Sequence, residues 1–262
     1  MLIKEFVEKE KSRLADEISV SGKVPHLVII QVGQNPASCS YVRGKLRDCA
    51  EVGIKAEHIQ LSEDISEEEL LSLVDKYNKD LSINGLIVQL PLPKHISEAK
   101  VKLAVEPRLD VDGFHPMTAF SPCTAKGLID YLEKIGFPFQ GANAIVIGRS
   151  DIVGKPTAKL LLQHNCNVTI LHSKTKKEDM AFYIAHADLI VVAVGREGFL
   201  NNDFQYKETA YVVDVGINRG DDGKLHGDAV MNLPVKLQTP VPGGVGLLTR
   251  LALLENLLIA TK

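Results

Sequence analysis

Short apolar runs alternate along this chain with segments whose apolar residues recur at helical spacing. Runs of the first kind predict buried strands, and segments of the second kind predict helices that cover a sheet. The predicted strands are His26–Gly33, Lys55–Leu61, Gly85–Leu90, Ala144–Ile147, Val168–Leu171, Leu189–Val194 and Tyr211–Val215. The predicted helices are an amphipathic N-terminal helix, Ser38–Val52, Ser66–Lys79, Ser97–Val105, Pro156–His164, a polar helix ending at His186 and a leucine-rich helix from about Val245. This alternation is typical of an α/β fold with mostly parallel sheets.

The α/β pattern is interrupted between Pro107 and Gly127, a segment rich in prolines and small polar residues. A loop-rich break of this kind favours a boundary between two lobes. A chain of 262 residues is also long for one domain. One large doubly wound sheet is the alternative, and the pattern alone leaves it open.

Composition narrows the class of protein further. Apolar residues make up 45% and charged residues 24% of the chain, which excludes a disordered chain, a collagen and a coiled coil. Thirty Lys and Arg residues against 33 Asp and Glu give a net charge of −3. This balance provides no basic field for nucleic acid and no polybasic stretch for a membrane surface.

No segment is expected to span a membrane or to act as a signal peptide. The most apolar stretch, Val245–Ala260, is broken by Arg250 and Glu255, and the N-terminal segment carries charges throughout. The four cysteines include no C-x-x-C pair and are interpreted as reduced thiols of a cytosolic protein, with no metal site. They are Cys39, Cys49, Cys123 and Cys166.

The predicted strand Ala144–Ile147 leads directly into a glycine loop, Gly148–Pro156, and then into a helix. A strand, a glycine turn and a helix N-terminus together favour a phosphate site. The spacing is neither G-x-G-x-x-G, because Ser150 takes the place of the second glycine, nor a P-loop, because Pro156 follows Lys155. Hydrolysis of ATP or GTP is therefore not expected, and a plain strand-to-helix turn stays open.

The next predicted strand sharpens this interpretation. NAD-binding units place an acidic residue about twenty residues further on to hold the ribose 2′-hydroxyl, whereas here the strand ends in His172-Ser173-Lys174-Thr175. A missing acid beside Arg149 favours a 2′-phosphate, hence NADP over NAD. A solvated loop is the alternative. Gly195 and the segment from Gly216 to Asn218 follow later strands, where ligands of open α/β sheets bind.

The helix Ser38–Val52 carries a second candidate group. Its apolar stripe is expected to pack on the first sheet, and Tyr41 and Lys45 stand together on the adjoining face. A lysine at the margin of a buried stripe loses hydration, which favours a neutral amine able to move protons. A solvated helix lysine is the alternative.

Two later segments place polar side chains beside turns. Prolines end the strand after Leu90 and leave Gln89 near its carboxyl end. Asp112 precedes a glycine, and its carboxylate suits the amino and ring N–H groups of a heterocycle. Strand capping by Gln89 and an Asx turn at Asp112 are the alternatives.

The ordered set of motifs resembles the bifunctional methylenetetrahydrofolate dehydrogenase/cyclohydrolase (FolD) family. In the first half the resemblance rests on Val32–Ser38, Tyr41-Val42-x-x-Lys45-x-Arg47, Gly53-Ile54, Gly85–Pro93, Asp110–Pro116 and Pro122–Thr124. In the second half it rests on Gly148-Arg149-Ser150-x-x-Val153-Gly154-x-Pro156, Asp214–Asn218 and Thr239–Gly246. These motifs span essentially the whole chain in order.

The resemblance implies a cytoplasmic enzyme of one-carbon metabolism. It would oxidise 5,10-methylenetetrahydrofolate with NADP⁺ to 5,10-methenyltetrahydrofolate and hydrolyse that to 10-formyltetrahydrofolate, which feeds purine synthesis. The implied fold has an N-terminal α/β catalytic lobe, 1–118, completed by a returning C-terminal helix, 243–262. A Rossmann-like NADP-binding lobe, 119–242, lies between them in sequence. A homodimer is implied, with tetrahydrofolate derivatives as substrates and no nucleic acid or membrane as partner.

The resemblance also implies residue roles. Lys45 would serve the hydrolase step, Gln89 would tune it, Tyr41 would position the folate and Asp112 would hold the pterin. Substrate contacts would also come from Leu90, Gly243 and Gly244. NADP contacts would come from Gly148, Arg149, Ser150, Ser173, Gly195 and Ile217.

Several positions depart from the family pattern. Thr118 and Ala119 replace the usual Asn-x-Gly segment in a shortened loop, Ala125 replaces a proline, and Leu247-Leu248 replace Pro-Met. Two other functions therefore stay open: a dehydrogenase without the cyclohydrolase, and a folate- or nucleotide-binding protein without catalysis.

Overall fold

The computed structural model describes residues 1–220 and 223–262, which divide into two compact units. Residues 8–123 and 250–262 form one, here called the three-stranded unit, and residues 1–7 and 124–249 form the other, the five-stranded unit. The helices are α1 Ile3–Ser21, α2 Pro36–Val52, α3 Glu67–Asn78, α4 Glu98–Ala104, α5 Cys123–Lys134, α6 Gly154–Gln163, α7 Lys177–His186 and α8 Val245–Ile259. The strands are β1 His26–Val32, β2 Lys55–Leu61, β3 Gly85–Gln89, β4 Asn143–Ile147, β5 Asn167–Leu171, β6 Leu189–Val192, β7 Tyr211–Asp214, β8 Asn218–Arg219, β9 Leu225–His226 and β10 Leu237–Gln238.

The three-stranded unit is built on a parallel sheet in the order β2-β1-β3. The central strand β1 is buried along its whole length, as its continuous apolar run requires. Alternate residues of β1 and β3 join α3 and α4 in one core cluster, which includes Ile30, Leu70, Val88 and Val101. At Gly85 the side chain of Leu257 comes so close that only glycine fits, which packs α8 against β3.

Local signals fix the helix that carries Tyr41 and Lys45. The Asn35 side chain accepts hydrogen bonds from the backbone N–H groups of Ala37 and Ser38, and Pro36 occupies the first turn. At the other end, Gly53 adopts the left-handed conformation with a φ of 83° and ends the helix. Helix α2 therefore begins and ends at defined positions next to β1.

The five-stranded unit has a parallel sheet in the order β10-β7-β6-β4-β5. Alternate residues of each strand face opposite sides: Val146 of β4 and Val191 of β6 pack on one face with α5, α6 and the start of α8, whereas Ile145 of β4 packs on the other with α7. The strand order reverses at β4, because β5 lies on one side of it and β6 on the other. Such a reversal is where open α/β sheets bind ligands.

The prediction of a mostly parallel α/β fold with a returning C-terminal helix is confirmed. One helix was missed: α5 begins at Cys123, inside the segment that the sequence favours as loop. Its glycine at 127 obscures the helical pattern, but that glycine is needed because the backbone oxygen of Leu248 lies 2.4 Å from where a Cβ would stand. Strands β8, β9 and β10 were also missed, because each is only two residues long and so shows no alternation of apolar and polar positions. The predicted domain bounds of 1–118, 119–242 and 243–262 stay a prediction.

In the described ranges, no helix combines the length and the apolar character that crossing a lipid bilayer requires. Within residues 1–220 and 223–262, no three His, Cys, Asp or Glu side chains gather as a metal site.

Candidate active site

Four of the predicted site residues lie in the three-stranded unit. Tyr41 and Lys45 are on α2, Gln89 ends β3, and Asp112 lies in the loop that follows α4. The Ser38 hydroxyl donates a hydrogen bond of 3.2 Å to the Leu90 carbonyl, which joins the first turn of α2 to the end of β3. Gln89 and the first turn of α2 thus lie together at the carboxyl ends of the parallel strands.

The Lys45 amine is buried and paired. Its side chain is 4% exposed, and Nζ lies 3.4 Å from Oδ2 of Asp112 and 5.8 Å from the centre of the Tyr41 ring. The sequence placed the three residues in one site but did not predict this ion pair. The pairing places a carboxylate next to the amine, and both side chains are largely shielded from solvent.

Gln89 presents an acceptor that the protein leaves open. Its Nε2 donates to the Leu90 carbonyl at 2.8 Å, while its buried Oε1 finds no donor among the described residues. A buried amide oxygen without a partner costs about 1–3 kcal/mol. An orphaned acceptor of this kind is typical of a position that a ligand completes.

The loop that carries Asp112 is held by its backbone. Gly113 has a φ of 81°, and a Cβ there would stand 2.6 Å from the Pro122 backbone nitrogen, so only glycine fits. The Asp112 carbonyl accepts from the Cys123 N–H at 3.2 Å, and Asn256 on α8 donates to the Val111 carbonyl at 2.9 Å.

Asp110, which the sequence analysis did not single out, shapes the same loop. Its carboxylate accepts the backbone N–H of His115 at 2.5 Å. Burial raises the pKa of Asp110, the nearby charge of Asp112 adds to the rise, and the backbone N–H donors of residues 113–115 oppose it. The departure from the family pattern at Thr118 is accommodated here, because its hydroxyl donates to the Pro107 carbonyl at 3.0 Å and the Asp110 carbonyl at 3.3 Å.

A buried charge cluster supports α2 one turn beyond Lys45. Asp48 pairs with Lys11 at 2.5 Å and with Arg250 of α8 at 2.6 Å. The Arg250 guanidinium fills the space that a Cβ at Gly44 would take, with Nη1 2.3 Å from that position. No sequence pattern predicts this cluster, because its members are far apart along the chain.

The glycine loop of the five-stranded unit follows the switch strand β4. Gly148 has a φ of 126°, and a Cβ there would stand 2.3 Å from the Ala193 carbonyl oxygen. The Ser150 hydroxyl accepts from the N–H groups of Val153 and Gly154 and so caps α6. The loop is therefore as tight as a cradle for a dinucleotide phosphate requires.

Arg149 and Ser173 are both exposed at the ends of adjacent strands. Ile147 and Leu171 are paired in the parallel register. Arg149 and Ser173 each lie two residues beyond this pair. The segment 172–176 contains no acidic residue. The arrangement suits a 2′-phosphate, with the Arg149 guanidinium as its charged donor.

Gly195 and Ile217 follow β6 and β7. The Gly195 N–H donates to the carboxylate of Asp228 at 3.0 Å, so this amide is already used within the protein. The Ile217 side chain is 55% exposed.

The two glycines predicted to contact the substrate differ in their surroundings. Gly243 lies in open space with a φ of 91°. Gly244 cannot be replaced by a larger residue, because the Pro240 carbonyl oxygen lies 2.1 Å from where a Cβ would stand.

Together these features define a class: a two-unit α/β protein with a buried lysine–carboxylate pair in one unit and a Rossmann-type dinucleotide site in the other. Residues 1–112 match the tetrahydrofolate dehydrogenase/cyclohydrolase catalytic domain, and residues 122–262 match the NAD(P)-binding domain of the same family. The chain belongs to the tetrahydrofolate dehydrogenase/cyclohydrolase family.

Individual relatives agree over nearly the full length. The bifunctional protein FolD of Streptococcus agalactiae is 46% identical over 247 residues, which cover 90% of this chain and 86% of that protein. The protein of the same name from Oceanobacillus iheyensis is 44% identical over 274 residues, covering 99% and 95%. The crystal structure of the bifunctional enzyme FolD from Campylobacter jejuni superposes with a TM-score of 0.94 at 39% identity, covering 99% and 98%. The Trypanosoma brucei FolD structure, complexed with NADP cofactor and an inhibitor, has a TM-score of 0.93 at 29% identity, covering 99% and 96%.

Proposed function

We propose that this protein oxidises 5,10-methylenetetrahydrofolate with NADP⁺ and hydrolyses the resulting 5,10-methenyltetrahydrofolate to 10-formyltetrahydrofolate. The observation that carries the proposal is the buried Lys45–Asp112 pair, in a unit that also holds the open acceptor of Gln89. The same chain has a tight glycine loop at a topological switch point. Binding alone needs no buried amine, so this pair favours catalysis over a non-catalytic binding protein.

The dehydrogenase step calls mainly for alignment. NADP⁺, when bound, supplies the acceptor for the hydride that leaves the methylene bridge. The two nitrogens that flank the bridge stabilise the resulting cation, so no protein base is needed. Gly148 and Ser150 shape the loop proposed to hold the phosphates, and Arg149 and Ser173 would hold the 2′-phosphate.

The cyclohydrolase step calls for proton transfer. Water adds to the methenyl carbon and loses one proton, which leaves a hydroxyl on that carbon. The hydroxyl then loses its proton as the formyl C=O forms and the bond from the carbon to the pterin nitrogen breaks. The nitrogen takes up one proton, so the step releases one proton overall. In its neutral form, the Lys45 amine would accept the first proton and deliver one proton to the pterin nitrogen, while the other proton leaves to solvent. Gln89 Oε1 would orient the amine, Tyr41 would stack on the folate, and Asp112 would hold the pterin N–H groups.

The division of labour along the chain belongs to the same proposal. Residues 1–118 with 243–262 would bind folate, with contacts from Leu90, Gly243 and Gly244, and residues 119–242 would bind NADP. The working form would be a homodimer in the cytoplasm. Light scattering after gel filtration measures the molar mass and so tests the dimer.

One coupled assay tests the proposal. The purified protein is mixed with methylenetetrahydrofolate and either NADP⁺ or NAD⁺, and reduced nucleotide and methenyl product are followed by their absorbance. Reduced nucleotide with transient methenyl product, and a preference for NADP⁺, is the expected result. Persistent methenyl product would indicate a dehydrogenase alone, and no reduced nucleotide with either cofactor would refute the proposal.

A further inference from the structure

Two loops at the carboxyl edge of the five-stranded sheet converge on one buried carboxylate. Asp228 has no exposed surface. Its Oδ2 accepts the backbone N–H groups of Val194 at 2.6 Å and Gly195 at 3.0 Å. Its Oδ1 accepts the backbone N–H of Arg196 at 2.8 Å and the side-chain amide of Asn218 at 2.9 Å. Asp228 therefore ties the loop after β6 to the segment after β7.

A second buried carboxylate holds the segment on which Asp228 lies. Asp214, at the end of β7, accepts the N–H groups of Gly216 at 2.9 Å, Asp228 at 3.0 Å and Ala229 at 2.8 Å. The carboxylates leave no room for side chains nearby: a Cβ at Gly216 would stand 2.2 Å from Cγ of Asp228, and one at Gly227 would stand 1.9 Å from Oδ2 of Asp214. Asp228 is thus fixed before any ligand binds.

The bonds to Asp228 decide what the two loops can offer a ligand. Three consecutive amides of the β6 loop are occupied, so this loop has no N–H nest left for a phosphate. What the loops present instead are apolar side chains, because Val194 is 37% and Ile217 is 55% exposed. Both loops follow strands at the carboxyl edge on the β6 side of the switch strand β4, whereas Arg149 follows β4 itself and Ser173 follows β5 on its other side. An apolar surface there suits a flat ring and not a phosphate.

We propose that Asp228 is a positioning residue for the nicotinamide half of the dinucleotide, because it holds the loops that present Val194 and Ile217. The inference rests on the proposed NADP-dependent function. The carboxylate acts through the loops and not by contact with the cofactor, which separates it from the residues proposed to bind the 2′-phosphate.

The substitution Asp228→Asn tests this with almost no change in volume. Each carboxylate oxygen accepts two donors. An NH₂ group in place of Oδ2 faces two backbone N–H groups and loses both bonds, whereas an NH₂ group in place of Oδ1 loses the bond from Arg196 even if the Asn218 amide rotates to accept. The dissociation constant of NADP⁺ is expected to rise roughly tenfold or more, the factor that corresponds to one lost hydrogen bond to a charged group. The fragment 2′,5′-ADP, which lacks the nicotinamide half, is expected to bind as it does to the unaltered protein. Asp179→Asn, at an exposed position on α7, is the matched control.

Three readouts decide the outcome. Weaker NADP⁺ binding with unchanged 2′,5′-ADP binding and unchanged hydrolysis of added methenyltetrahydrofolate supports the inference. Unchanged NADP⁺ binding, or an equal loss for NADP⁺ and 2′,5′-ADP, overturns it. If Asp228→Asn does not fold, Asn218→Ala removes one donor from Oδ1 and is expected to weaken NADP⁺ binding alone, by a smaller factor. Binding is measured without turnover, so a failure of the proposed function, seen as no activity in the unaltered protein, is a separate result.

Discussion

In the three-stranded unit the groups proposed to do chemistry are side chains, whereas in the five-stranded unit the site consists mainly of backbone. Lys45, Asp112 and Gln89 each offer a specific atom to a substrate. Gly148 and Gly195 contribute only their backbone. The groups that hold this backbone are the Ser150 hydroxyl and the buried carboxylate of Asp228, and both are bonded to N–H groups of the protein itself. Substitution of a functional side chain is therefore expected to disable the first kind of site, and substitution of a residue that holds the backbone is expected to disable the second.

The largest effect is expected from Lys45→Met, which keeps the volume of the side chain and removes its amine. General acid–base catalysis contributes roughly 10²- to 10⁴-fold, so the cyclohydrolase rate should fall by about that factor. Dehydrogenation should survive at least in part, because it needs no protein base. Lys9→Met, at an exposed position of α1, is the control. An equal loss of both activities in a folded Lys45 variant would remove the distinction between the two steps.

The two kinds of site also differ in how far the sequence predicts them. Lys45 and Asp112 stand out because a lysine beside an apolar stripe and an aspartate beside a glycine are local patterns. Asp228 was missed because nothing near it in sequence indicates that Val194 and Asn218 will converge on it. The strand–glycine–helix pattern around Gly148 could be predicted, because its parts follow one another directly in the sequence. Helix α5 was missed because tertiary packing against Leu248, and not local propensity, requires its glycine.

The loop of Asp112 shows that the side-chain site also depends on backbone. In Gly113→Ala, the left-handed conformation costs about 1–2 kcal/mol, and the contact with the Pro122 backbone adds about 1–3 kcal/mol. Gly136→Ala is a matched control, because Gly136 has a φ of 73° with nothing within 4 Å of the added Cβ. In urea titrations, Gly136→Ala should lose only the unfolding free energy that the left-handed conformation costs, about 1–2 kcal/mol. Equal losses for the two variants would show that the Pro122 contact relaxes without cost.

Arg149→Ala tests the one charged side chain in the backbone-built site. A hydrogen bond to a charged group contributes about 1.5–3 kcal/mol, so KM for NADP⁺ should rise roughly 10- to 150-fold. KM for NAD⁺ should change little, because NAD⁺ lacks the 2′-phosphate. Lys159→Ala, at an exposed position on α6, provides the control for lost positive charge. An unchanged ratio of the two KM values would place the 2′-phosphate elsewhere.

The smallest expected effect concerns two buried carboxylates, Asp110 in the three-stranded unit and Asp214 in the five-stranded unit. Burial raises the pKa of both Asp110 and Asp214, so each folded-state carboxyl binds its proton at a higher pH than in the unfolded chain. Each therefore destabilises the fold at neutral pH, and this cost is relieved as the pH falls from the raised pKa toward the ordinary aspartate value. The unaltered protein should gain stability on acidification relative to Asp110→Asn and to Asp214→Asn, by at most about 1.4 kcal/mol per pH unit. Urea midpoints at several pH values measure this difference. If the stability of the unaltered protein relative to the Asn variant does not change with pH, the backbone N–H donors cancel the effect of burial at that position. If this relative stability grows as the pH rises, the donors outweigh burial.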